Sequence, residues 1–203
     1  TTYKLETKLI GIFNAYNACS AFAAGVTNGI NPNKVIKEIR NTPQVPGRFE
    51  VISKGNKKAI VDYSHTPESL QHTLNAIREI NKNNLPIFTV FGCGGDRDKT
   101  KRPIMGNIAS SLSSIAVVTS DNPRTEDPNK IIEDILQGIK GDNYKVLVDR
   151  EEAIKYAITN SPDNAIILVA GKGHEDYIEV NGVRTHFSDK EKVTEFLNLW
   201  AAF

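Results

Sequence analysis

An apolar run gives way to a dense polar cluster in the stretch Val117-Val118-Thr119-Ser120-Asp121-Asn122-Pro123-Arg124-Thr125-Glu126-Asp127-Pro128. The β-branched residues at its start are typical of a short buried strand, and the prolines prevent that strand from continuing. Asn122 precedes a proline and is therefore held in an extended backbone, while Arg124 offers a planar set of donors that suits a carboxylate or a phosphate. The stretch predicts a strand followed by a binding loop, although composition alone supports a solvated turn about equally well.

Strands and helices alternate through most of the chain on either side of this stretch. Apolar strands are predicted at residues 59–61, 87–91, 115–119, 146–148 and 166–169, and amphipathic helices at 67–80, about 102–112, through 131–136, through 153–158 and from 189. Residues 177–187 predict a hairpin that turns at Asn181-Gly182. Repeated βα units of this spacing predict an α/β fold: a Rossmann-like, mostly parallel sheet with helices on both faces, completed by a C-terminal hairpin.

The first 45 residues have a different character. Small residues predict a helix with Asn14 as its N-cap and its end at Gly29, and Pro32 predicts the start of a second helix. Two short helices bury too little surface to form an independent domain. We therefore expect residues 1–45 to be the end of an upstream domain plus a linker, and residues 46–203 to be the main domain.

Charge and composition exclude several classes of protein. The 203 residues carry a net charge of +1, which gives no electrostatic reason to expect binding to nucleic acid or to an acidic membrane. No apolar run approaches the roughly 18 residues of a membrane span, and no secretory leader opens the sequence. Cys19 and Cys93 are too few for a disulfide framework or a zinc site. These features predict a cytoplasmic protein and leave its oligomeric state open.

Four of the predicted strands are followed by charged or glycine-rich loops, at residues 62–67, 92–99, 120–128 and 170–175. In a wound parallel sheet such loops meet at the carboxyl edge, where ligands bind. The glycines do not form a dinucleotide-binding fingerprint, and Gly171-Lys172-Gly173 lacks the Ser or Thr of a Walker A loop. The sequence thus predicts a binding edge without a recognisable phosphate-cleaving site.

Each loop also has a purely structural interpretation. Asp62 could cap a turn, and His65 could be a neutral surface imidazole. The glycines at 92, 94 and 95 could serve backbone geometry alone, although glycine also lets a ligand approach the main chain closely. Lys99, Lys101 and Arg102 could form a solvated face.

Taken together, these motifs resemble the C-terminal part of the Mur ligase family, and especially those members that add meso-diaminopimelate to UDP-N-acetylmuramoyl-L-alanyl-D-glutamate. The resemblance covers nearly the whole chain. It is carried by Phe13-Asn14-Ala15-Tyr16-Asn17, Val45-Pro46-Gly47-Arg48-Phe49-Glu50, Asp62-Tyr63-Ser64-His65-Thr66-Pro67, Gly94-Gly95-Asp96-Arg97-Asp98, Asp121-Asn122-Pro123-Arg124 and Gly171-Lys172-Gly173-His174-Glu175.

The resemblance implies an ATP- and Mg²⁺-dependent amide ligase that works through an acyl phosphate on the UDP-linked dipeptide. It implies that Arg97 pairs with the carboxylate at the reacting centre of diaminopimelate. Arg124 and Asn122 would hold the distal carboxylate, and Glu175 with the Gly171 carbonyl would hold the distal ammonium. The implied pocket also includes Asp121, and the residues implied on the ATP side are Arg48, Asp62, His65 and Asn17.

The family's P-loop, magnesium ligands and carbamylated lysine would lie upstream of Thr1. We therefore expect the chain to be part of a longer enzyme, to contain no catalytic residue of its own, and to be inactive in isolation. Two alternatives remain open from the sequence. One is a related ligase, either a lysine-adding member or a folylpolyglutamate synthetase; the other is a non-catalytic module that binds a small molecule.

Overall fold

The computed structural model describes residues 1–201, so the last two residues of the predicted main domain lie outside the described part. The chain divides into two compact units, Thr1–Val45 and Pro46–Phe203, and each is described by itself. Within residues 1–201, no helix is both long enough and apolar enough to cross a membrane.

The first unit contains helices α1 (Ile12–Thr27) and α2 (Pro32–Asn41). They pack closely where Gly25 faces Val35, because a Cβ on Gly25 would lie 2.9 Å from a Val35 methyl group. The start of α2 at a proline is as predicted, with the Asn31 side chain accepting a hydrogen bond from the Asn33 amide. The predicted cap of α1 is wrong: Gly11 is the N-cap, and Asn14 lies inside the first turn, where its side chain donates to the Ile10 carbonyl.

The second unit is a six-stranded sheet covered by helices, followed by a separate two-stranded hairpin. Its elements are β1 (Glu50–Lys54), β2 (Lys57–Asp62), α3 (Pro67–Ile80), β3 (Ile87–Phe91), α4 (Lys101–Leu112), β4 (Ile115–Val118), α5 (Pro128–Leu136), β5 (Tyr144–Val146), α6 (Arg150–Asn160), β6 (Ile166–Ala170), β7 (Tyr177–Val180), β8 (Val183–His186) and α7 (Asp189–Trp200). The sheet order is β1-β2-β6-β3-β4-β5, and every pairing is parallel except that of β1 with β2. The predicted fold class and the predicted hairpin are confirmed.

Two strands differ from the sequence prediction, and both lie at edges of the sheet. Strand β1 was not predicted, because it becomes exposed toward its end. Strand β5 occupies Tyr144–Val146 instead of 146–148, and two of its three residues are exposed. Edge strands carry little of the continuous apolar pattern that identifies buried parallel strands.

The core has two layers, one on each face of the sheet. Alternate residues of neighbouring strands, such as Val61, Val90 and Val169, pack with α6 and α7 in one buried cluster. The residues between them, such as Ile60 and Leu168, are also buried and point to the opposite face. A sheet buried on both faces is a rigid support for the loops that leave its strands.

Four helices of this unit begin with a side-chain cap directly after a loop. The caps are Thr66 for α3, Asp127 for α5, Asp149 for α6 and Ser188 for α7. Thr66 forms a full capping box with Ser69, and Pro67 occupies the first helical position. Because these caps fix where each helix begins, they also fix the length and path of the preceding loops.

Candidate functional site

The four polar loops predicted from the sequence meet at one edge of the sheet. They follow β2, β3, β4 and β6, and these strands are adjacent and parallel in the order β2-β6-β3-β4, although β5 separates β4 from β6 along the chain. Their carboxyl ends therefore lie side by side, which is the position of ligand sites in wound α/β sheets.

The loops after β3 and β4 are joined through their backbones. The Gly95 amide donates to the Asn122 carbonyl at 2.9 Å. A Cβ on Gly95 would collide with the Pro123 carbonyl oxygen, and a Cβ on Gly92 would collide with the Thr119 carbonyl oxygen. These two glycines are needed because two main chains approach closely here.

Arg102 stabilises the contact between the loops after β3 and β4. Its guanidinium is fully buried and contacts Glu126 at 2.8 Å and Asp134 at 2.9 Å. Arg102, together with the Asp96 amide and Lys99, lowers the pKa of the Glu126 carboxyl to about 2. Arg102 is therefore a buried structural cation, and the suggestion that it belongs to a solvated face is wrong.

Arg124 lies between the glycine loop and the hairpin. Its φ angle is +53°, a left-handed value that is uncommon for a residue with a side chain. Its amide donates to the Glu179 carbonyl at 3.0 Å, and its carbonyl accepts from the Asn181 amide at 2.7 Å. Its Nη1 donates to the Gly95 carbonyl at 2.7 Å, and within residues 1–201 its other guanidinium nitrogens have no hydrogen-bond partner. The half-buried guanidinium therefore has a fixed direction and spare donors.

A cluster of charged and amide side chains lies at the same edge of the sheet as Arg124 and consists of Asp121, Asn122, Lys172 and Glu175. The Asn122 side chain donates to Glu175 at 3.1 Å and accepts from Lys172 Nζ at 3.0 Å. Lys172 is fully buried and also lies 3.4 Å from Asp121 Oδ1. The cluster brings together Asp121, Asn122 and Glu175, three residues that the family resemblance assigned to one pocket.

The Gly171 backbone lies close to the Asp121 side chain of this cluster. Its φ angle is +122°, and a Cβ there would lie 2.6 Å from Asp121 Oδ2. Burial alone would raise the pKa of Asp121, but the nearby Arg150 and Lys172 cations lower it below its usual range. Arg150 is itself fully buried in a bidentate pair with Asp189, with both contacts at 2.8 Å. Asp121 is thus held ionised among buried cations.

Three residues predicted on the ATP side, Arg48, Asp62 and His65, belong to the second unit and lie near this cluster. The Asp62 carboxylate accepts hydrogen bonds from the Phe49 amide, Ser64 and Thr73, so it holds loops of its own chain together. Arg48 is exposed and lies over the Tyr63 ring at 4.6 Å. Exposed His65 lies on the same ring, at 4.6 Å between ring centroids.

Tyr63 links Glu175 to the residues predicted on the ATP side. It lies in one of the motifs that carry the family resemblance, but no role was predicted for it. Its hydroxyl donates to Glu175 at 3.4 Å, and its ring lies 5.3 Å from that of His174. Burial, followed by the Glu175 charge, raises the pKa of Tyr63, so its hydroxyl remains a donor at neutral pH.

Two further predicted site residues, Arg97 and Asn17, are exposed. Among residues 1–201, the one side-chain hydrogen bond of Arg97 is to the Asp96 carbonyl, at 3.4 Å, so Arg97 lies outside the cluster. Asn17 lies in the first unit, is exposed, and donates to Asn14. Among residues 1–201, no group of three His, Cys, Asp or Glu side chains is placed to hold a metal ion.

Comparison with known proteins gives consistent results. Residues 47–173 match the family described as Mur ligase, glutamate ligase domain. The UDP-N-acetylmuramoyl-L-alanyl-D-glutamate--2,6-diaminopimelate ligase of Clostridium botulinum is 47% identical over 206 residues, covering 97% of this chain and 42% of the relative. The enzyme of the same name from Aquifex aeolicus is 44% identical over 196 residues, covering 96% and 40%. The chain spans about two fifths of the length of the curated relatives it matches.

Solved structures agree. A UDP-N-acetylmuramoyl-L-alanyl-D-glutamate--2,6-diaminopimelate ligase superimposes with a TM-score of 0.75 at 38% identity, covering 97% of this chain and 40% of the other. Folylpolyglutamate synthase from Thermotoga maritima gives a TM-score of 0.64 at 23% identity, covering 84% and 38%, which is a likeness of fold alone.

Proposed function

The chain belongs to the Mur ligase family, and from this premise we propose that it is the amino-acid-binding part of an ATP-dependent ligase. The proposed reaction adds meso-diaminopimelate to UDP-N-acetylmuramoyl-L-alanyl-D-glutamate in peptidoglycan synthesis. Residues 46–203 are the proposed C-terminal domain, and residues 1–45 the proposed end of a central ATPase domain. The relatives that carry this activity in their names support the proposed reaction, and we propose a cytoplasmic location for it.

One geometric observation carries the substrate assignment. Asn122 contacts Glu175, and two residues further on Arg124 presents spare guanidinium donors. The site therefore offers an anion and a cation on adjoining positions, which complements an amino-acid centre with one ammonium and one carboxylate. The distal end of diaminopimelate is such a centre, whereas the distal end of lysine carries an ammonium only.

The remaining roles follow from position. Glu175 and the Gly171 carbonyl receive the distal ammonium, and Asp121 is part of the same pocket beside Gly171. Exposed Arg97 pairs with the carboxylate at the reacting end of diaminopimelate. By fixing the distal end, the chain positions the reacting amine, and this removes much of the entropic barrier to amide formation.

ATP and Mg²⁺ belong to the proposed whole enzyme. ATP supplies the phosphoryl group that activates the D-glutamyl carboxylate as an acyl phosphate, from which the amine then displaces phosphate. Of the predicted ATP-side residues, Arg48 and His65 are exposed and suit direct contact, while Asn17 is exposed in the first unit. Asp62 fits such contact less well because three internal donors already occupy its carboxylate, so we propose that it orders the loop.

The test is selectivity between diaminopimelate and lysine in the full-length enzyme. We expect Arg124→Lys to reduce the preference for diaminopimelate, because a single ammonium cannot contact the Gly95 carbonyl and also form a fork with a carboxylate. One charged hydrogen bond is worth about 1.5–3 kcal/mol, so the ratio of kcat/KM values should fall by roughly tenfold to a hundredfold.

Arg78→Lys is the matched control, since Arg78 is an exposed arginine near the end of α3 and lines no part of the binding edge. A wild-type enzyme that uses lysine as well as diaminopimelate would refute the substrate assignment. It would support a lysine-adding ligase of the same family.

A further inference from the structure

Lys172 is a fully buried lysine at the centre of the binding edge. It lies between Gly171 and Gly173, whose φ angles of +122° and +54° turn the backbone sharply on either side. Its side chain points inward, with Nζ 3.0 Å from Asn122 Oδ1, 3.4 Å from Asp121 Oδ1 and 3.7 Å from Glu175 Oε2. A buried ammonium is costly unless it is paired, so this placement must be maintained by its partners.

The contacts of Lys172 determine which way the Asn122 amide points. Lys172 Nζ and the Glu179 backbone amide both lie 3.0 Å from Asn122 Oδ1. Both groups are donors only, so the atom between them must be the carbonyl oxygen of the side chain. The Asn122 amino group is thereby directed to Glu175 Oε2, at 3.1 Å.

Glu175 is held in position but not saturated. Its contacts to Tyr63, Asn122 and Lys172 are 3.4, 3.1 and 3.7 Å, all longer than the 2.8 Å contacts of the buried Arg150–Asp189 pair. A carboxylate can accept about four hydrogen bonds. Glu175 therefore has capacity for another strong donor on its exposed side.

We propose that Lys172 is a positioning residue for substrate recognition, which fixes the Asn122 amide and the Glu175 carboxylate so that Glu175 receives the distal ammonium of the incoming diamino acid. Lys172 does not touch the substrate. The inference rests on the proposed function and adds a residue to it. It also explains why the lysine of a Gly-Lys-Gly loop is turned away from solvent.

The experiment uses the full-length ligase that contains this chain and compares three amino acids: meso-diaminopimelate, lysine and 2-aminopimelate. The last keeps the distal carboxylate but lacks the distal amine. We expect Lys172→Met to raise the KM for diaminopimelate by about tenfold or more, the value of one charged hydrogen bond. The KM for 2-aminopimelate should change by no more than about twofold, and kcat at saturating diaminopimelate should change little, because the reacting amine is at the other end of the substrate.

Lys57→Met is the matched control. Lys57 is also fully buried, donates to the Ile158 and Ser161 carbonyls, and lies at the start of β2, away from the carboxyl edge. Lys57→Met should reduce stability without changing the KM for diaminopimelate relative to the KM for 2-aminopimelate. Lys172→Gln is the second variant, and it keeps a donor for Asn122. It should have a lower KM for diaminopimelate than Lys172→Met. If Lys172→Met does not fold, the KM values for diaminopimelate and 2-aminopimelate are compared in Lys172→Gln instead.

The double variant Lys172→Met/Glu175→Gln separates a positioning role from a general structural one. If Lys172 acts through Glu175, the two changes in KM for diaminopimelate should be clearly less than multiplicative. Multiplicative effects, or an equal rise in KM for diaminopimelate and 2-aminopimelate, would overturn the role of Lys172 while leaving the proposed function intact. A wild-type enzyme that fails to distinguish diaminopimelate from lysine would instead overturn the proposed function.

Discussion

Three fully buried cations, Arg102, Arg150 and Lys172, hold the residues of the binding edge in place. Each pairs with carboxylates far away in the chain: Arg102 with Glu126 across 24 residues, Arg150 with Asp189 across 39, and Lys172 with Asp121 across 51. The meeting of the polar loops at one edge of the sheet was predictable, because those loops follow parallel strands. The buried cations were not, since a lysine or arginine in sequence gives no sign of a partner that only the fold brings near.

At this scale the Arg102–Glu126 pair predicts a pH dependence of stability. Glu126 has a pKa of about 2, below the ordinary value of 4.5, so it stabilises the folded state fully above pH 4.5 and loses this contribution as the pH falls toward 2. We expect Glu126→Gln to lower the free energy of unfolding by about 2 kcal/mol at pH 6, the value of a hydrogen bond to a charged group. The difference from wild type should shrink steadily between pH 4.5 and pH 2.

Urea unfolding of the chain at a series of pH values measures this difference. Glu133→Gln is the control, because Glu133 is an exposed carboxylate on α5 and should give no such trend. A Glu126→Gln penalty that stays constant down to pH 2 would show that the ion pair does not stabilise the fold.

At the scale of elements, the sequence predicted buried strands and the helices that begin at Pro32 and Pro67 well, and edge strands poorly. The bounds of α3 and β3 agree with the prediction, because a proline starts α3 and an uninterrupted run of β-branched and aromatic residues defines β3. Strands β1 and β5 were missed or displaced because their exposed residues lack that run. The hairpin was predicted from Asn181-Gly182, but its attachment to Arg124 was not, since that contact depends on two backbone hydrogen bonds formed only in the folded chain.

The attachment predicts that the hairpin turn supports substrate binding. Gly182 has a φ angle of +77°, which an alanine adopts at a cost of about 1–2 kcal/mol. We expect Gly182→Ala to loosen the turn and, through Asn181 and Glu179, the Arg124 backbone. The KM for diaminopimelate in the full-length enzyme should rise severalfold.

Gly55→Ala is the matched control, because Gly55 has a φ angle of +56° in the turn between β1 and β2, away from the carboxyl edge. Both variants should lose similar stability, as measured by thermal unfolding. If they also raise the KM equally, the hairpin has no specific role in holding Arg124.

For the whole molecule, the topology of the sheet explains how a site is built from distant segments. Strand β6 returns to lie between β2 and β3, so the loop containing Gly171 and Glu175 is placed beside the loops containing Asp62 and Gly95. No periodicity in the sequence reveals this insertion, although the parallel class of the sheet was predictable. In the proposed function, this edge binds and positions the amino acid, and activation of the other substrate is a separate task.

That separation leads to a prediction about the chain in isolation. Transfer of a phosphoryl group needs a phosphate-binding loop and magnesium ligands. The glycine-lysine-glycine loop of this chain cannot serve, because Lys172 is buried and contacts Asp121 and Asn122. We therefore expect the 203-residue chain to release no phosphate from ATP and Mg²⁺, even with diaminopimelate and the UDP-linked dipeptide present. The full-length enzyme should do so under the same conditions. Phosphate release by the chain alone, abolished by Arg48→Ala, would place a nucleotide-hydrolysing site within these residues. It would contradict the proposal that this chain binds the amino acid and does not hydrolyse ATP.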